Sequence, residues 1–171
     1  FFEKDFFKFF KTNIFFSIYI FSALFLLMGK STAEILYFLL ICVLWLPLSI
    51  DDIESNSVNR IFLYLASFLS CVCLFIVREP IFMDLFISPL LVLVVFLVAW
   101  MIKNKRGREA IGPADYLAIF SLSFSLLPHT IGIWIILFSL FGMIHYVTNN
   151  RQSIPLIPFL FSAWCLVYAY F

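Results

Sequence analysis

The run from Ile81 to Ile102, IFMDLFISPLLVLVVFLVAWMI, decides what kind of fold this chain can adopt. Its one charge is Asp84, and apolar and polar residues do not alternate along it, so it does not read as a strand of a membrane barrel. A hydrocarbon core of about 30 Å needs roughly 20 apolar helical residues, which this run supplies. Outward from it, cutting the chain at charges, prolines and glycines gives seven candidate spans: about 12–28, 34–50, 60–77, 81–102, 114–128, 131–147 and 155–171. The expectation is an all-α polytopic transmembrane helix bundle formed by residues 1–171 as a single integral-membrane domain. The first span is too long and too rich in Phe for a cleaved signal peptide. The span at 114–128 is short and carries Ser121, Ser123 and Ser125, so it is expected to line a protein interior.

Composition points the same way. Hydrophobic residues make up 64% of the 171 residues and charged residues 12%, against about 45–50% and about 25% in soluble globules. Mean hydropathy is +1.10. Too little polar surface exists to cover a water-soluble particle, and lipid is the expected solvent. The net charge of +1 argues against a nucleic-acid partner, which would call for a basic patch. Cys42, Cys71, Cys73 and Cys165 lie inside apolar runs without a CxxC pair, and read as packing residues. His129 and His145 have no acidic or Cys partner at ligand spacing, so neither metal nor cofactor is implied. Phe1 is not an initiator methionine, so the sequence admits a natural start further upstream.

Seven spans put the termini on opposite sides. One side then receives nine of the eleven Lys and Arg: Lys4, Lys8, Lys11, Arg60, Lys103, Lys105, Arg106, Arg108 and Arg151. The other receives Lys30 and Arg78. By the positive-inside rule the first side is cytoplasmic. Five acids, Glu3, Asp5, Glu34, Glu79 and Asp84, flank span ends as solvated residues. The other five fall at two places on the cytoplasmic side: Asp51, Asp52 and Glu54 at the end of the second span, Glu109 and Asp115 at the start of the fifth.

Ionisable residues at a membrane border are costly and call for an explanation. Two carboxylates from separate helices can share one proton, because like charges a few Å apart do not both ionise comfortably. The ionised member takes a proton from water while the other polarises a peptide carbonyl, which is the logic of aspartic proteolysis. Such a pair titrates as a unit, with separated apparent pKa values. The bland alternative is that Asp51 ends a helix and Asp115 is an early-turn acid favoured by the helix dipole. Gly112 and Ala114 beside Asp115 allow close backbone approach, and Pro47 is expected to bend the second span.

Three stretches carry a resemblance. Gly107-Arg108-Glu109-Ala110-Ile111-Gly112-Pro113-Ala114-Asp115 resembles the GKEGMGYGD segment of the type IV prepilin leader peptidases, polytopic aspartyl proteases of the GxGD type. The variant GxAD also occurs among their archaeal preflagellin relatives. Ile154-Pro155-Leu156-Ile157-Pro158-Phe159-Leu160 is similar to the family's IPFGPFL at the start of the last helix. Ile50-Asp51-Asp52-Ile53-Glu54, with Ser57-Val58-Asn59-Arg60-Ile61, is similar to the segment in which the first catalytic Asp ends its helix. The resemblance implies catalytic acids at Asp115 and at Asp51, the preferred register, or at Asp52, the alternative. Glu109, Gly112 and Ala114 would shape the loop. The implied substrates are the basic leaders of prepilins or pseudopilins, cut at the cytoplasmic face of a bacterial or archaeal inner membrane.

The chain also departs from the pattern. Leu117 stands where the family has Lys, Ile157 where it has Gly, and the Pro of its IPN motif is Val58 or Asn59 according to register. No cysteine-bearing domain appears, so N-methyltransferase activity is not supported. Two rival readings follow: a non-enzymatic homologue whose site has degenerated, and a small proton-coupled transporter or assembly subunit using a buried acid pair. The presenilin branch fits less well, lacking here its PAL motif and its tyrosine before the first Asp. No phosphate-binding glycine loop, Ser/His/Asp set or HExxH occurs.

Overall fold

The structure, a computed structural model, describes residues 18, 21–24, 26, 28–55, 57–77, 82–106, 111–149 and 156–171. Among these the chain is all α, without a strand. After helical residues at 21–24 come α1 (Thr32–Ser55), α2 (Arg60–Val77), α3 (Phe82–Arg106), α4 (Pro113–Phe124), a 3-10 turn (Pro128–Thr130), α5 (Ile131–Asn149) and α6 (Leu156–Tyr170). The helices follow the apolar runs closely. The differences lie at the ends. α1 continues through Asp51 and Asp52 to Ser55 instead of stopping at the acids, and α4 ends at Phe124. Most of the first expected span lies outside the described residues.

α4 and α6 form the centre. α6 is buried along nearly its whole length, from Ile157 through Cys165, as expected of a helix apolar on every side. Around it pack α1, α4 and α5, while α2 packs against both α1 and α4, and α3 against α4. α1 shows one buried stripe, Tyr37, Phe38, Ile41, Leu44, Trp45, Leu48, Ser49 and Asp52, at helical spacing of three and four. Leu36, Leu39, Val43 and Ile50 lie on its exposed face.

The interior is tied by polar side chains that sequence position alone does not pair. Trp45 Nε1 donates to Ser70 Oγ at 2.9 Å, and Tyr37 Oη donates to the Ser70 carbonyl at 3.0 Å, joining α1 to α2. Ser121 Oγ reaches Ser67 Oγ at 3.3 Å between α4 and α2. Trp164 Nε1 donates to Ser125 Oγ at 2.6 Å, and Trp134 Nε1 to the Leu160 carbonyl at 2.9 Å. Each buried indole N–H thus finds an acceptor, without which its burial would cost about 1–3 kcal/mol. Ser121, Ser123 and Ser125 are all buried, so the serine-rich helix does line the interior.

α2 is apolar on both its inner and its outer face. Its inner face carries Leu63, Ala66, Ser67, Ser70 and Leu74, whereas Ile61, Tyr64, Leu65, Phe68 and Phe75 are exposed. α3 and α5 likewise expose Leu90, Leu93, Val94, Leu97, Ile136, Leu140 and Met143. Among the described residues one helix, α1, is long and apolar enough by itself to cross a membrane.

Candidate active site

Asp52 belongs to the buried stripe of α1, one turn below Leu48 and Ser49, and is 7% exposed. Asp51 is rotated about 100° from it by helix geometry and is exposed. The preferred register therefore falls on the acid that the helix turns outward, and the alternative falls on the one it turns inward. Glu54, at the end of the same helix, is exposed as well.

Asp115 enters from α4. Pro113 stands at the first helical position, where its fixed φ suits a helix start and its missing N–H costs nothing. Asp115 is the third helical residue, and its Oδ2 accepts the Gly112 N–H at 3.0 Å, while its own N–H donates to the Gly112 carbonyl at 3.1 Å. The carboxyl thus folds back over the start of its own helix and is held there. A Cβ on Gly112 would lie 3.5 Å from Asp115 Oδ2, in ordinary van der Waals contact. Glycine at this position leaves that flank of the carboxyl open. Ala114 is half-buried and packs against the core.

The two acids come from positions 52 and 115, yet their carboxyls lie within electrostatic reach of one another. A third segment joins them. The Ile157 N–H, in the first turn of α6, donates to Asp52 Oδ2 at 3.2 Å. The three stretches singled out in the sequence therefore meet at one end of the bundle: the last turn of α1, the first turn of α4 and the first turn of α6. Neither acid is bonded to a Lys or Arg among the described residues. Leu117 and Ile157 are taken up in packing, Leu117 half-buried and Ile157 fully buried. Glu109 lies outside the described residues, as do Gly107, Arg108, Ala110, Ile154 and Pro155.

Two features of this site were not read from the sequence. One is the inward phase of Asp52, which was available from the spacing of Trp45, Leu48, Ser49 and Asp52. The other is the Ile157 N–H as a partner. A backbone donor 105 residues away leaves no signal in side-chain identity.

Chemically, the arrangement offers two carboxyls, each with one oxygen fixed by a backbone N–H, in a largely desolvated place. Such a pair can divide its protonation, one member accepting a proton while the other donates one. It can equally serve as two helix caps, since Asp115 lies in the first turn of α4 and the Asp52 carboxyl meets the first turn of α6, where a negative charge is favoured. No family model matches the chain, and no curated protein or solved structure matches it either.

Proposed function

We propose that the chain is a polytopic membrane helix bundle of about seven spans that acts as an aspartyl endopeptidase on the leaders of prepilins or pseudopilins. The observation that carries the enzymatic part is the meeting of Asp52, Asp115 and the start of α6, since these are the three places where the chain resembles the prepilin peptidases. Asp52 and Asp115 are the catalytic acids in this reading. Asp51, exposed on the other flank of α1, is not.

The membrane reading rests on the surfaces. In water, exposed Phe, Leu and Val on α2, α3 and α5 would drive aggregation, and soluble monomers rarely expose so much apolar surface. In lipid the pattern has a cause. Association there gains nothing from burying Leu against Leu, so helix contacts use small and hydrogen-bonding residues such as Ala66, Ser67 and Ser70. α2, α3 and α5 have 18, 25 and 19 residues, or about 27, 37 and 28 Å at 1.5 Å per residue, close to the hydrocarbon thickness. α4, with 12 residues, is the short inner member. The acids stand at the end of the bundle where α2 begins with Arg60 and α3 ends with Lys103, Lys105 and Arg106, the side assigned to the cytoplasm.

In the reaction, the ionised carboxyl removes a proton from a water molecule as its oxygen attacks the scissile carbonyl carbon. The protonated carboxyl gives its proton to the developing oxyanion. Collapse of the tetrahedral intermediate breaks the C–N bond: the proton taken from water passes to the leaving amine, and a hydroxyl of the gem-diol returns its proton to the other carboxylate as the C=O re-forms. The pair ends with one proton, as it began.

One observation favours a second reading. Both acids already have a structural role as helix caps, which is what a degenerate, non-enzymatic homologue would retain. Leader cleavage by wild type, Asp52→Asn and Asp115→Asn in liposomes separates the two. Loss of cleavage in both variants supports the peptidase, and equal rates in all three dismiss it.

A further inference from the structure

The two acids are not held in the same way. Asp115 receives its backbone bond from Gly112, three residues away and on its own helix start. That bond forms whenever α4 forms. Asp52 receives its bond from Ile157, 105 residues away. It exists only when α6 is docked beside α1.

The donor is available for a simple reason. The first N–H groups of an α-helix have no carbonyl a turn earlier to bond. α6 begins at Leu156, and Pro158 carries no N–H, so the Ile157 N–H is one of the few free donors in this first turn. Ile157 is fully buried, which rules out water as its ordinary acceptor. Asp52 Oδ2 supplies the acceptor, and the positive end of the α6 dipole adds to the attraction. Since a carboxyl is planar, holding one oxygen sets the place of the other.

We propose that Ile157 is a positioning residue whose main-chain N–H holds the Asp52 carboxyl in register with Asp115, making the reaction depend on the docking of the last helix. This rests on the peptidase reading above. The side chain of Ile157 has no part in the effect beyond packing. Only the N–H matters, so side-chain substitutions and N–H deletion have different outcomes.

The test deletes the N–H and keeps the side chain. The α-hydroxy analogue of isoleucine is placed at 157 by nonsense suppression, exchanging the amide N–H for an ester oxygen. Ile157→Pro is a second deletion of the same donor, at a first-turn position that tolerates proline. Ile157→Val retains the N–H and serves as the conservative control. Each protein is reconstituted in liposomes and assayed on a synthetic peptide with a basic leader followed by an apolar helix. The expected result is a fall in kcat of roughly 10- to 100-fold for the ester and the proline variant, the scale of one hydrogen bond to a charged group. KM stays within about twofold, and Ile157→Val keeps kcat near the wild-type value. Unchanged kcat in whichever N–H-deleted protein folds would overturn the proposal while leaving the peptidase reading in place. So would a loss confined to KM, or an equal loss in Ile157→Val. Absence of cleavage by wild type overturns both.

Discussion

Replacing Asp52 by Asn, beside the same change at Asp51, separates catalysis from stability. Asn has nearly the same shape as Asp, and its carboxamide oxygen can still accept the Ile157 N–H that now lies 3.2 Å from Asp52 Oδ2. What changes is the charge on the acceptor. A hydrogen bond to a charged group contributes about 1.5–3 kcal/mol and a neutral one about 0.5–1.5, so Asp52→Asn costs about 1 kcal/mol of stability. Removal of a like charge facing Asp115 offsets part of that loss. On the peptidase reading the catalytic effect is much larger. Without Asp52 no pair exists to divide one proton, and general acid–base participation is worth about 100- to 10,000-fold, or about 3–5 kcal/mol of barrier. Asp51 is exposed and makes no side-chain hydrogen bond among the described residues, so Asp51→Asn changes stability by less than about 0.5 kcal/mol. Its rate stays within about twofold. The assay measures release of the leader from a reconstituted substrate, with urea unfolding in detergent as the stability control. A dead Asp51→Asn beside an active Asp52→Asn would refute the reasoning, because it would mean that the buried phase of α1 does not select the working acid.

Four other outcomes follow from the same geometry. Gly112→Ala places a methyl about 3.5 Å from Asp115 Oδ2 while retaining the N–H; stability changes by under about 1 kcal/mol and kcat falls roughly tenfold as the approach to the carboxyl narrows. Ser70→Ala strands the buried Trp45 N–H and lowers the unfolding free energy by about 1–3 kcal/mol, measured in detergent, with the cleavage rate of the folded fraction unchanged. Phe68, mid-helix in α2 and 64% exposed, faces acyl chains in the membrane reading, so Phe68→Lys costs about 2.5–3.5 kcal/mol of insertion and depletes the membrane fraction. In a soluble protein the same change would be harmless. Finally, leader cleavage follows a bell-shaped pH profile with two limbs, both of which disappear in Asp115→Asn.

How legible the fold was depends on the signal each element carries. Long apolar runs bounded by charges and prolines have one reading, and the helices at 60–77 and 131–149 fall on their expected runs almost residue for residue. Helix ends were less legible. The charges of Asp51, Asp52 and Glu54 read as a stop, but α1 continues through them to Ser55. An amphipathic last turn can carry acids outward on one side and bury one on the other, so charge alone does not end a helix. That is also why motif register and burial select different acids, register Asp51 and the inward phase of the helix Asp52. The motif aligns residues along a line, while burial depends on their angle around the helix axis. Read by angle, Trp45, Leu48, Ser49 and Asp52 form one stripe and Asp51 leaves it.

The serines tell a related story. Ser121, Ser123 and Ser125 pointed to an inner helix because lipid-facing positions seldom hold three hydroxyls, and all three are buried. Their partners were not legible. Ser125 accepts the indole N–H of Trp164, 39 residues away, and Ser70 that of Trp45, 25 residues away. Pairings of that kind come from packing geometry, which local pattern does not encode. Trp45, Trp134 and Trp164 are core residues, while Trp100 is exposed.

On the membrane reading, proximity of the acids is tested most directly by cross-linking. In a background with the four native cysteines changed to alanine, Asp52→Cys and Asp115→Cys are combined and treated in isolated membranes with a bifunctional thiol reagent about 5 Å long. The account predicts an intramolecular cross-link between α1 and α4 for this pair, and none when Asp51→Cys replaces Asp52→Cys. No link through position 52, or one only through position 51, would contradict it.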